Sequence, residues 1–194
     1  MLHTLIELDQ RLFLLINQGG VPALDPVMIF LSSSWIWVPV YLALAIYLIK
    51  RSGTRGLLSF VFIIITILLT DQTSVHMFKE VFQRLRPCHE PLLIGQVRLV
   101  ADHCGGQFGF VSSHAANAFG LLMISAGLIN RKPFTLIIMA WALIISYSRI
   151  YLGVHYPGDV IGGILLGLFI GWLMLMVHNW TQKKIQTYAQ TKKA

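Results

Sequence analysis

Charge is what this chain has least of. Asp, Glu, Lys and Arg make up 12% of its 194 residues, against about a quarter in an ordinary soluble domain. Hydrophobic residues supply 56%, and no stretch of soluble composition is long enough to build a separate core. The chain therefore reads as one membrane domain, residues 1–194. Internal repeats and low-complexity segments are absent. No cleavable signal is expected either: Glu7, Asp9 and Arg11 stand where a basic start and an apolar block belong, and the first membrane helix is expected to act as an uncleaved signal. Basic residues do not alternate with aromatics, and no groove-reading module is visible, so the net charge of +7 does not point to nucleic acid.

The charge has a topological explanation instead. Nine of the fifteen basic residues (Lys50, Arg51, Arg55, Arg131, Lys132, Lys183, Lys184, Lys192 and Lys193) fall in two short loops and the C-terminal tail. Such clusters mark cytoplasmic segments and favour anionic headgroups. Stretches without any charged residue cover 26–49, 56–70, 105–130, 133–148 and 160–182. A helix needs about 20 mostly apolar residues to span. We expect an all-α, polytopic bundle with five spans at about 30–50, 56–79, 112–130, 133–150 and 159–180. Residues 50–55, 130–133 and 181–194 then lie inside. Residues 80–111, 151–158 and the N-terminus lie outside, and five crossings agree with that placement.

Before the first span, Leu5, Leu8, Leu12, Leu15 and Ile16 form one stripe, which predicts an interfacial helix within residues 1–25. Gly19-Gly20 and Pro22 end it, and a re-entrant half-helix near 22–33 is compatible with the pattern. The tail 181–194 is polar enough to fray. On the fifth span Gly163, Gly167 and Gly171 recur every fourth residue, a stripe that permits close helix packing. Trp35, Trp37, Trp180 and His178 are expected as interface anchors, and His76 as a structural polar group.

The two cysteines, Cys88 and Cys104, stand beside His89 and His103 in the long outer loop. A disulfide is the favoured reading for an oxidising compartment. A Cys2His2 zinc site and two free thiols remain open, although adjacent Cys and His residues rarely both reach one metal.

Three polar clusters sit at helix mouths on the outer side. Lys79 and Arg86 are seven apart at the exit of the second span, with Pro87 discouraging helix beyond. Taken alone, that pair fits interfacial snorkelling, as do Arg84 and Arg98. Ser112-Ser113-His114 opens the third span. Ser112 suits an N-cap, and the outward amides of the first turn form an anion site. The third cluster carries Ser148-Arg149, then His155 and Asp159 four residues apart. An Asp accepting from one ring nitrogen fixes the tautomer and frees the other nitrogen to attack. Asp71, two turns deeper than Lys79, is expected to pair with a cation or polar group inside the bundle.

Together, Lys-x6-Arg-Pro, Ser-x-His and Ser-Arg-x5-His-x3-Asp resemble the three-part signature of the type 2 phosphatidic acid phosphatase (PAP2) superfamily over about residues 56–175. The resemblance implies hydrolysis of a lipid phosphate without metal or cofactor. Lys79, Arg86 and Arg149 would hold the phosphate, helped by Ser112 and Ser113. His155 would attack phosphorus, oriented by Asp159, and His114 would protonate the leaving oxygen. One motif departs from the family: Val111-Ser112-Ser113-His114 stands where Pro-Ser-Gly-His is usual, and the cation and histidine set stays complete. The family's candidate substrates are undecaprenyl diphosphate, phosphatidylglycerophosphate, phosphatidate and phosphorylated lipid A, met at the outer face of a bacterial inner membrane. Rival readings are a transporter, which would place its charges near the midplane, and a non-catalytic lipid-binding member of the same fold. A soluble vanadium haloperoxidase shares the signature but not the spans.

Overall fold

Helices account for most of the described residues in a computed structural model that describes residues 2–100 and 104–192. They are α1 (Leu2–Gln18), α2 (Asp25–Ser32), α3 (Trp37–Ser52), α4 (Thr54–Gln72), α5 (Glu80–Phe82), α6 (Ser113–Ile129), α7 (Lys132–Tyr151) and α8 (Pro157–Thr191). A π-helical segment, Thr73–Lys79, joins α4 to α5. Among the described residues, extended pairing is limited to one isolated bridge between Leu85 and Phe108.

Among the described residues, four helices are long and apolar enough to cross a membrane: Ser34–Ser52, Thr54–Phe82, Lys132–Tyr151 and Pro157–Thr191. The fifth expected span, Ser113–Ile129, is shorter and forms the centre of the bundle. Small residues make that position possible. Ala115, Ala116, Ala118, Gly120 and Ser125 are all buried on α6, and the glycine stripe of α8 lies against them. A Cβ at Gly167 would run into the Ala116 carbonyl, and one at Gly171 would sit 2.8 Å from the Gly120 carbonyl oxygen. The stripe packs inside the protein, as its spacing suggests.

Several boundaries differ from expectation for visible reasons. The first span starts at Ser34 and not near residue 30, because Ser33 turns extended (ψ 151°) after its hydroxyl donates to the Phe30 carbonyl at 2.7 Å. Residues 25–32 form their own short helix, and Pro22–Ser32 lies at 86° to Thr4–Gln18. The tail does not fray at 181: α8 continues to Thr191 through a stretch without Gly or Pro. Its 35 residues extend about 52 Å, well past a hydrocarbon core of about 30 Å.

The first helix docks by a different face from the leucine stripe. Leu5, Leu8, Leu12 and Leu15 remain exposed, while Phe13 and Asn17 are fully buried. Asn17 donates to the carbonyls of Arg98 and Tyr151 and accepts from the Arg98 amide. Arg98 in turn pairs with Asp25 at 2.6 Å, and Tyr151 donates to the same carboxylate. This network fixes the α1–α2 elbow against the C-terminal end of α7. Two expected interface anchors prove internal. Trp37 is buried and packs edge-on against Trp141, and His178 is buried beside Ser59, 2.9 Å from its hydroxyl. His76 is exposed and meets Glu80 one turn on.

Candidate active site

Helix ends and one loop surround a cavity of about 510 Å³ lined by Lys79, Arg86, Ser113, His114, Arg149 and His155, with Asp71 and Asn117 below. That volume lies in the range of small-molecule sites. One flank is apolar, formed by Trp37, Val38 and Tyr41 of α3 and by Val75.

Each cation is held by neutral acceptors. Lys79 Nζ donates to Ser113 Oγ at 2.6 Å. Arg86 donates from Nε to the Phe108 carbonyl at 3.2 Å and from Nη1 to the Cys104 carbonyl at 2.8 Å. Arg149 donates from Nη1 to Ser32 Oγ. Among the described residues, the Lys and Arg ion pairs involve Arg84 and Arg98. The three cavity cations thus keep their positive charge uncancelled by a bonded carboxylate, while their positions are fixed. Burial does pull the Arg86 guanidinium below its ordinary value.

The hydroxyl chain behind Lys79 has a direction. Ser74 Oγ donates to the Asp71 carbonyl at 2.7 Å, and a hydroxyl has one proton. Its 2.6 Å contact with Ser113 Oγ must then be accepted from Ser113, which leaves the Ser113 oxygen to receive Lys79. Asn117 completes this wall: it accepts from Thr70 at 2.6 Å and approaches Asp71 Oδ1 at 3.4 Å. Asp71 therefore meets a polar group inside the bundle.

The loop between α7 and α8 sets His155. Arg149 offers its carbonyl to the amides of Val154 and His155 at 3.2 and 3.3 Å. Gly153 turns the chain with φ of +84°, where a Cβ would lie 2.8 Å from the Arg98 carbonyl, so glycine is required twice over. His155 is buried, with Nδ1 3.4 Å from Asp159 Oδ2, a loose contact of the kind that tightens when substrate binds. Burial pushes its imidazole well below the ordinary histidine value, and the cations of Arg149, Arg86 and Lys79 add to that. Asp159 does not line the cavity. It stands fully buried behind His155 and accepts from the Tyr156 amide at 3.0 Å and from Arg84 Nη1 at 2.9 Å.

His114 faces the cavity from the first turn of α6, and its Nε2–H donates to the Ser32 carbonyl at 3.2 Å. In the neutral ring Nδ1 is then the nitrogen open to proton exchange. Ser112 occupies the N-cap position, but among the described residues its hydroxyl makes no capping bond and has no partner. Its amide donates to the Asp159 carbonyl at 2.9 Å. The Ala116 amide is the first to bond back to Ser112, so those of Ser113, His114 and Ala115 open the helix without partners inside it. Ser148 turns away and bonds the Ile145 carbonyl.

Cys88 and Cys104 are joined as a disulfide, with Cα atoms 6.1 Å apart. His89 lies near them, while His103 falls outside the described residues. Sulfurs bonded to each other are not thiolate ligands, so this arrangement does not suit the zinc alternative.

Sequence reasoning brought Lys79, Arg86, Ser113, His114, Arg149 and His155 to one cavity, with Asp159 behind it. It missed Ser32, Ser74 and Asn117, and it read Arg84 only as an interfacial residue. Asp9 carried a legible signal: with Phe13 and Asn17 it falls at i, i+4 and i+8, a second face of α1 separate from the leucines.

Bundle and site together define a membrane protein that gathers three cations and two imidazoles around one cavity at its helix ends. The chain belongs to the PAP2 superfamily, whose profile matches residues 56–183. It is 33% identical over 181 residues to a lipid A 4'-phosphatase of Porphyromonas gingivalis, covering 93% of this chain and 77% of that protein. A lipid A 4'-phosphatase of Bacteroides thetaiotaomicron is 34% identical, with 96% and 84% covered. Among solved structures, Aquifex aeolicus LpxE superposes with a TM-score of 0.63 at 25% identity, over 86% of this chain and 93% of that one.

Proposed function

We propose that this protein is a membrane lipid phosphatase that removes a phosphate from a lipid A-type glycolipid through a phosphohistidine. The observation that carries the reading is the cavity itself. Three cations and two histidines line it together with an apolar flank of Trp37, Val38 and Tyr41, which suits a phosphate attached to a hydrophobic body. The similarity to two lipid A 4'-phosphatases over most of their length favours that substrate over undecaprenyl diphosphate, phosphatidylglycerophosphate and phosphatidate.

Lys79, Arg86 and Arg149 hold the phosphate oxygens, with the amides at the start of α6 and the hydroxyls of Ser112 and Ser113 beside them. Phosphoryl transfer needs mainly positioning and charge stabilisation, and three fixed cations supply both. His155 Nε2 attacks phosphorus as the bond to the lipid oxygen breaks. Asp159 accepts from Nδ1–H and balances the charge that grows on the ring. His114 gives a proton to the departing oxygen, then takes one from the water that releases phosphate. The basic loops 50–55 and 130–133 favour a cytoplasmic position for the opposite end of the bundle. The site then opens at the outer face of a bacterial inner membrane.

Purified protein in detergent, assayed with EDTA for phosphate release from lipid A, undecaprenyl diphosphate and phosphatidylglycerophosphate, tests this directly. Lipid A is expected to turn over with the highest kcat/KM, and His155→Ala to lose turnover while remaining folded. Loss of activity on chelation defeats the metal-free mechanism, and preference for the diphosphate defeats the substrate assignment. An absence of turnover on every lipid returns the protein to the non-catalytic alternative.

A further inference from the structure

Asp159 has a second partner that the signature motifs do not contain. Its Oδ2 caps α8 through the Tyr156 amide and faces His155, while its Oδ1 accepts from Arg84 Nη1 at 2.9 Å. Arg84 is itself held on three sides. Its Nη2 donates to Asp9 Oδ2 at 2.7 Å, and its guanidinium lies 4.2 Å from the centre of the Tyr156 ring. Its own carbonyl accepts from Gly109 at 2.8 Å. Asp9, on α1, uses its other oxygen to accept from the Gly158 amide at 2.8 Å. The bonds form a closed ring: α1 to Arg84, Arg84 to Asp159, and the first turn of α8 back to α1.

Two facts separate Arg84 from the phosphate-holding cations. It does not line the cavity of about 510 Å³ but a different groove, shared with Asp9, Tyr156 and Gly158. It also spends both terminal nitrogens on carboxylates, whereas Arg86 spends Nη1 and Nε on carbonyls and Arg149 binds a hydroxyl. A fully buried carboxylate without a cation is strongly disfavoured, and removing one partner of such a pair leaves the other exposed to that cost. A planar fork that grips two carboxylates also fixes the plane of each.

We propose that Arg84, anchored by Asp9, is a positioning residue that keeps the Asp159 carboxylate charged and aimed at His155 Nδ1, so that docking of the N-terminal helix supports turnover. The proposal rests on the reading of His155 as nucleophile. Without Arg84, Asp159 can take up a proton or swing toward Arg86. In either case the imidazole loses the acceptor that stabilises its positive charge as the N–P bond forms.

The test is kinetic, on the full chain in detergent with lipid A as substrate, using Arg84→Ala, Arg84→Lys, Asp9→Asn, Asp159→Asn and the double variant Arg84→Ala/Asp159→Asn. Arg84→Ala should lower kcat by about 10- to 100-fold, the range for a residue one step behind the reacting group, with KM changed less than about threefold. Arg84→Lys should recover part of that loss, and Asp9→Asn should cost roughly three- to tenfold in kcat. Once Asp159 is Asn, removing Arg84 should cost less than about twofold, because the two act as a unit. An equal loss in both backgrounds shows a merely structural role and overturns the proposal, as does a wild-type kcat for Arg84→Ala or a loss confined to KM. If Arg84→Ala does not fold, Asp9→Asn and Arg84→Lys decide, and a wild-type kcat for both overturns it. Turnover by His155→Ala is a separate outcome that removes the nucleophile reading whatever Arg84 does.

Discussion

Ser113→Ala is the most informative single substitution, because it probes the position where this chain departs from its family. The hydroxyl chain runs from Lys79 through Ser113 and Ser74 to the Asp71 carbonyl, with 2.6, 2.6 and 2.7 Å between successive atoms. Removing the Ser113 oxygen leaves Ser74 bonded to Asp71 and deprives Lys79 of the anchor contact. A hydrogen bond to a charged group is worth about 1.5–3 kcal/mol. Part of this returns when Lys79 turns to phosphate in the open cavity, so we expect about 1–2 kcal/mol of lost transition-state stabilisation, or roughly 5- to 30-fold in kcat/KM. The assay is initial-rate phosphate release from lipid A in mixed micelles, with Ser113→Gly measured in parallel. Glycine restores the family residue without restoring the oxygen, and the same loss is expected. A kcat/KM at or above wild type for both variants refutes the argument, because it means the hydroxyl competes with substrate for Lys79 rather than presenting it.

Two further expectations follow from the same geometry. Burial holds the His155 imidazole well below the ordinary histidine value, and the surrounding cations add to that. Protonation would remove the attacking lone pair, so its lowered value keeps the nucleophile neutral into mild acid. The acid limb of kcat/KM, which reports the free enzyme, should therefore have its midpoint below the ordinary histidine value of about 6.5; a midpoint at 6.5 or above contradicts this. Replacing Cys88 and Cys104 by Ser opens a loop of sequence separation 16, worth about 3 kcal/mol of chain entropy. Because the Cys104 carbonyl bonds Arg86, KM should rise severalfold and the loop should become protease-sensitive; an unchanged KM removes that link.

Periodicity and charge placement made the bundle legible, because a membrane span is a local property of about 20 consecutive residues. The cavity residues were legible for another reason: polar side chains at the mouths of apolar helices have few structural explanations when several occur together. What stayed hidden was long-range pairing. Arg84 meets Asp9 and Asp159, each 75 residues away, and nothing local to any of the three announces the others. Ser32 was hidden differently. It reaches Arg149 and His114 only because Ser33 breaks the helix and the α1–α2 elbow folds back, a consequence of the Arg98–Asp25–Tyr151 network. The leucine stripe on α1 faces outward, as an interfacial helix requires, and a second face carrying Asp9, Phe13 and Asn17 docks on the bundle.

The division of the arginines explains why the site can hold an anion at all. Outside the basic loops and tail the chain has six cations: Arg11, Lys79, Arg84, Arg86, Arg98 and Arg149. Arg84 and Arg98 are neutralised by carboxylates and fasten helices together. Lys79, Arg86 and Arg149 are fastened by hydroxyls and carbonyls, which fix position without cancelling charge. At an effective dielectric near 20, unit charges about 4 Å apart interact by about 4 kcal/mol, so gathering three cations around one cavity is costly until a phosphate enters. That repulsion is relieved on binding and falls further as charge builds on the transferring oxygens. An acid within bonding distance of any of the three would lower the cost of folding and take the driving force for binding with it. Asp71, the carboxylate that lines the cavity, is bonded to neutral amides and makes no ion pair with any of the three.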